Sequence, residues 1–74
     1  MKATTFTSLV KEELTRLEDQ HEGGWDDEML YAVKAYEKMA DRFLAKKELT
    51  RKAYDEMQPL FERARAIAMN YRVD

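Results

Sequence analysis

Apolar side chains recur every three or four residues along this chain, in three blocks. The first is Phe6, Val10, Leu14 and Leu17. The second holds Met29, Leu30, Ala32, Val33, Tyr36, Met39, Ala40, Phe43 and Leu44. The third holds Ala53, Tyr54, Met57, Leu60, Phe61, Ala64, Ile67, Ala68 and Tyr71. At about 100° of turn per residue each block gathers on one side of a helix. The spacing predicts helices over about residues 6–21, 27–47 and 50–72. The first stripe spans only about ±40° around Val10, enough to cover one neighbour. The second spans about 180°, which makes the middle helix the expected centre of the bundle. Phe43, Leu60 and Phe61 are the expected main contributors to the core.

Punctuation between the blocks agrees with this division. Thr5 or Thr7 offers a side-chain oxygen to the first unpaired amides of helix 1. Gly23-Gly24 breaks the pattern with two residues that take left-handed backbone at no steric cost. Asp26 then caps helix 2, with Asp27 and Glu28 suited to its positive end and Trp25 placed to staple onto Leu30. Thr50 caps helix 3, with Leu49 and Tyr54 in the same staple relation. So short a connection between helices 2 and 3 folds them antiparallel. Pro59 lies about nine residues past the Thr50 cap, removes one backbone donor and crowds the Asp55 carbonyl, so a kink is expected there. The fold expectation is all-α: an antiparallel helical hairpin with a shorter N-terminal helix packed on it, a three-helix bundle forming one domain over residues 1–74. Helices of about 20 residues reach about 30 Å, long for so thin a core. A homodimer burying the wide faces of helices 2 and 3 is the alternative assembly.

Composition narrows the chemistry. Seventy-four residues without cysteine, and with one histidine, leave neither disulfides nor a zinc site to supplement a small core. Helix packing must carry the stability. No apolar run approaches the ~20 residues of a membrane span, and the N-terminus lacks the apolar core of a secretory signal. A cytoplasmic protein is the expectation. Charged residues are 38% of the chain, yet the net charge is −2, which fits neither a nucleic-acid coat nor an acidic mimic.

Nothing in the sequence assembles a catalyst. Ser8 is the only serine and falls in the first turn of helix 1, away from any base. His21 continues the helix 1 stripe, where it reads as an edge histidine at a helix C-terminus rather than as a metal ligand with Glu22 or Asp26. Glu12-Glu13 and Asp26-Asp27 are adjacent, and adjacent helical residues face apart. GGW follows a helix and has no lysine, so it is not a phosphate loop. No enzyme activity, cofactor or metal is expected.

Charge placement is more informative. Residues 1–28 carry three cations and eight anions, net −5, whereas residues 29–52 carry seven cations and three anions, net +4. Cations gather at the turn between helices 2 and 3, as Lys38, Arg42, Lys46, Lys47, Arg51 and Lys52. At the other end, Glu18, Asp19, Glu22, Asp26, Asp27 and Glu28 are to be partly neutralised by Arg65 and Arg72. Tyr31 points about 160° from Val33 and Met69 about 180° from Leu60, both off the core stripes. With Trp25, Asp26 and Asp27 they form the candidate protein-binding spot, an aromatic and a methionine among carboxylates. The expected function is a small non-enzymatic interaction module that binds another protein and regulates or inhibits it, of a kind compatible with phage or mobile-element coding. Two alternatives stand beside it. One is a nucleic-acid-associated accessory protein using Arg42, Lys46, Lys47, Arg51 and Lys52; the other is a structural homo-oligomer.

Overall fold

Among the described residues three helices account for the fold: α1 (Ala3–Gln20), α2 (Asp27–Ala45) and α3 (Arg51–Ala68). The computed structural model describes residues 2–69, so Tyr71, Arg72 and the expected continuation of helix 3 over 70–72 lie outside the described residues. Contacts at both ends define an up-down-up bundle. The Phe6 and Phe43 rings stand 4.9 Å apart, which sets the start of α1 beside the end of α2. Glu18 on α1 meets Arg63 on α3 at 3.3 Å, so those two helices run parallel. The Asp26 amide donates to the Ala68 carbonyl at 2.7 Å, tying the start of α2 to the end of α3.

Each helix turns a 3–4-spaced apolar line inward. Phe6, Val10 and Leu14 are buried on α1; Met29, Val33 and Ala40 on α2; Met57, Phe61, Ala64 and Ala68 on α3. Leu49, from the second connection, is buried with them. Phe43 and Leu60 are only partly buried and pack against this core, while Phe6 and Phe61 are its largest fully buried side chains. The expected weighting therefore shifts toward α1. The reason is angular: Leu60 lies about 70° from the centre of the buried line of α3, at its margin.

The hub of the bundle also differs from expectation. α3 packs most closely on α2 and next on α1, whereas α1 and α2 touch least. Ala64 and Ala68 on α3 are fully buried, and side chains this small let a neighbouring helix approach closely. The wide face of α2 is spent on α3 at its centre, and its margins (Leu30, Tyr36, Met39, Phe43) are only half-covered.

Local chemistry sets the boundaries. The Asp26 carboxylate accepts from the Met29 amide, and the Thr50 hydroxyl from the Ala53 amide, both at 3.1 Å. The start of α1 departs from expectation, because its cap is Lys2, with no side-chain hydrogen bond, rather than Thr5 or Thr7. Both threonines are inside the helix, and Thr7 donates back to the Thr4 carbonyl at 2.9 Å, a bond that a helical threonine can make. α1 closes at His21, in extended backbone, two residues before Gly23. Gly23 and Gly24, at φ of 100° and 83°, instead turn the connection toward α2.

α2 stops at Ala45 rather than near Lys47 because the chain reverses in a Schellman arrangement. Lys47 adopts φ 60°, its amide donates to Leu44 at 3.0 Å, and the Glu48 amide donates to Phe43 at 2.9 Å. A lysine thus occupies the left-handed position where glycine is usual. α3 runs on through Pro59 without a break.

Two stability predictions follow from this packing. Phe6→Ala and Phe61→Ala should each lower unfolding free energy by ~3–5 kcal/mol in denaturant titration, and half-buried Phe43→Ala by less. An equal loss at Phe43 and Phe6 would contradict the observed core. Lys47→Gly should stabilise the fold by about 1 kcal/mol, since it relieves left-handed strain without touching a buried contact. A midpoint that falls would show that the lysine side chain matters there.

Candidate protein-contact site

Among the described residues two large hydrophobic side chains are exposed, Trp25 at 64% and Tyr31 at 75%. Both belong to the end of the bundle where α2 begins and α3 finishes. Asp26 builds this corner. Its side chain caps α2 and its amide holds the Ala68 carbonyl, so the residues on either side of it are turned outward. The Trp25 indole N–H donates to the Asp27 carboxylate at 2.6 Å, which fixes an exposed ring against an exposed anion. Trp25 is accordingly not a staple buried against Leu30: Leu30 packs on the core, and the indole stays at the surface.

Asp27 and Tyr31 are one helical turn apart and, with Leu30 and Lys34, line a shallow depression of about 260 Å³. Tyr31 lies about 180° from the centre of the buried line Met29, Val33 and Ala40, which accounts for its exposure. Met69 does not share that property. It is the C-cap of α3 and is half-buried. Measured from Met57, Phe61, Ala64 and Ala68 it lies about 110° off centre, because Leu60 is a marginal reference direction. The antiparallel packing does bring Asp26 to the end of α3, next to Met69, so Trp25, Asp26, Asp27 and Tyr31 form the outward surface and Met69 its half-covered edge.

Of the two arginines expected to neutralise this end, Arg72 lies outside the described residues and Arg65 is engaged elsewhere. Arg65 pairs with Glu37 of α2, and Glu18 is engaged by Arg63. Among the described residues Asp27 and Glu28 form no ion pair, and Lys34 is the cation that shares the depression with Tyr31. His21 completes the neighbouring connection. The Gly23 amide donates to its Nδ1 at 3.3 Å, which leaves Nε2–H to donate to the Gly24 carbonyl at 2.9 Å. Both ring nitrogens therefore serve the loop backbone.

At the opposite end the cations are unequal. Arg51 is held by Asp55 at 3.2 Å and lies 5.6 Å from the Tyr54 ring centre. Arg42, Lys46, Lys47 and Lys52 are exposed and, among the described residues, form no ion pair. Arg42 and Lys46 flank half-buried Met39 and Phe43 in a depression of about 150 Å³.

Proton affinities are perturbed away from the aromatic corner. The Tyr54 hydroxyl donates to Asp41 at 2.6 Å, and that hydrogen bond, more than burial or the nearby carboxylate charge, raises its phenol above the ordinary tyrosine range. Burial raises Tyr36, with Glu13 adding to the shift. The hydrogen bond from Arg16 lowers Glu13. The Tyr54–Asp41 bond links α3 to α2, whereas the Arg16–Glu13 pair lies within α1.

The chain matches no protein-family model, no curated protein and no solved structure. No helix among the described residues is long and apolar enough to cross a membrane.

A raised Tyr54 has a definite sign. The folded state holds the phenol proton more tightly, so its stabilising contribution is intact below the ordinary tyrosine range and is lost as pH climbs through the raised value. Asp41→Ala should bring the Tyr54 phenolate transition, followed by ultraviolet absorbance, back toward ordinary tyrosine and weaken the alkaline loss of stability. An unchanged transition in Asp41→Ala would show that the hydrogen bond is not its cause.

Proposed function

We propose that this protein works by contact, as a small non-enzymatic interaction module that binds a larger protein in a cytoplasmic setting and regulates or inhibits it. The observation that supports this reading is the placement of Trp25 and Tyr31. Exposed single apolar residues carry no message on their own. Here, however, the two large ones share one corner, and one of them is held in a fixed orientation by Asp27. A rigid aromatic gives a partner large contact area at little entropic cost, and aromatic anchors dominate binding hot spots. Asp27 and Glu28 beside them favour a partner surface bearing lysine or arginine. A regulator from a phage or mobile element is consistent with such a chain, since one corner on a minimal helical scaffold suffices for binding.

The same observation sets this reading above nucleic-acid binding. Trp25 is hydrogen-bonded to an anion, and Tyr31 stands one turn from Asp27 on one side and from the single cation Lys34 on the other, whereas stacking platforms for bases interleave aromatics with several cations. Arg51, one of the cations assigned to that alternative, is taken up by Asp55 and Tyr54.

The test is a double variant, Trp25→Ala with Tyr31→Ala, compared with the native chain in binding to the protein captured from host lysate. Helical content and melting temperature should change little, because neither side chain is part of the core. Affinity should fall by ~1–4 kcal/mol. Undiminished binding by the folded double variant would reject this corner as the contact site.

A further inference from the structure

The outward face of α2 is itself patterned. Glu28, Tyr31, Ala35, Lys38, Arg42 and Ala45 follow one another at steps of three and four, and all six are exposed. Those steps place the six on one side of the helix, the side turned away from the core. Helix-dipole complementarity accounts for an anionic start and a cationic end. It does not account for an exposed tyrosine in the second turn or for Lys38 in the middle of the helix.

We infer that this face pairs with the same face of a second copy, α2 against α2 in antiparallel orientation. With the two-fold axis between Ala35 and Lys38, Tyr31 of one protomer meets Arg42 of its partner, a cation over an aromatic face. Lys38 lies over Ala35, a long side chain against a short one. Asp27 and Glu28 come opposite Lys46 and Ala45. Each relation occurs twice, as an isologous interface requires. A parallel pairing would set Arg42 on Arg42, Lys38 on Lys38 and Glu28 on Glu28, so charge alone selects the antiparallel form. The cations involved, Lys38, Arg42 and Lys46, form no ion pair within the chain among the described residues and are available to the second copy. One helix about 28 Å long offers less than the ~1,200 Å² of a standard interface, so the association is weak and sensitive to salt.

This second copy differs from the dimer expected from the apolar stripes, because the buried lines of α2 and α3 meet inside one chain. The inference shares Tyr31 with the contact site proposed above but not its outcome. A chain that stays monomeric leaves the partner experiment untouched.

The test is sedimentation of the intact protein and of two charge-reversed variants, one carrying Asp27→Lys and Glu28→Lys, the other Arg42→Glu and Lys46→Glu. The native chain should move from one chain mass toward two as concentration rises at low salt, and back when salt is added. Each variant alone sets like charges face to face and should associate at least about tenfold more weakly. An equimolar mixture of the two restores every opposite-charge relation and should form a heterodimer. Ala35→Lys, at an exposed mid-helix position clear of both caps, should also weaken native association by placing a cation against Lys38. A native protein that stays monomeric up to about 1 mM at low salt, where even weak transient interfaces are populated, overturns the inference. So does a mixture of folded variants that remains monomeric, or an Ala35→Lys chain that associates as before.

Discussion

The hydrogen bond from the Asp26 amide to the Ala68 carbonyl closes the end of the bundle at which no connection joins α2 to α3. At the other end five residues hold α2 and α3 together; here two backbone groups do so. Both would otherwise lack partners, one as a donor before a helix and the other among the last four carbonyls of α3. The Asp26 side chain meanwhile caps its own helix, so one residue fixes the start of α2, the end of α3 and the angle between them. The outward display of Trp25 and Asp27 follows from this. With its neighbours committed to the bundle, the indole is left at the surface and is held there by a carboxylate two residues on.

The rest of the bundle depends on α3. Its buried line passes from large to small, Met57 and Phe61 followed by Ala64 and Ala68. Both pairs belong to one buried cluster with Phe6 and Val33, and the small second pair permits close approach of the neighbouring helices at the Asp26 end. Ion pairs add definition at the edges, with Glu18 to Arg63 joining α1 to α3 and Glu37 to Arg65 joining α2 to α3. Such pairs at the surface contribute little energy. They do, however, engage Arg63 and Arg65 with Glu18 and Glu37 rather than with Asp27 or Glu28.

Much of this was legible in the residues. The three stripes, the antiparallel hairpin and the caps at Asp26 and Thr50 each rest on a local rule that tertiary packing did not override. The departures have physical causes. Thr5 and Thr7 read as caps, but α1 begins at Ala3, and Thr7 found its partner inside the helix. The end of α2 was obscured because a lysine stands where the turn favours glycine. Met69 looked outward only because Leu60, its reference, proved to be at the margin of the buried line. Of the candidate site, Tyr31 could be read from angle alone. The exposure of Trp25 could not, since it depends on a backbone bond between residues 42 positions apart, Asp26 and Ala68.

The position of α3 in the chain has a consequence for synthesis. α1 and α2 make few contacts with each other, and both bury their apolar lines chiefly against the helix that comes last. On a ribosome the first two helices would emerge with most of their stripes uncovered and little beyond the Phe6–Phe43 contact to close on. Domains commonly fold as units once their sequence is available. Here that moment waits for Phe61, Ala64 and Ala68 to leave the exit tunnel. Until then the nascent chain exposes Phe6, Val10, Met29 and Val33, and folding is an event of the whole chain rather than a progression along it.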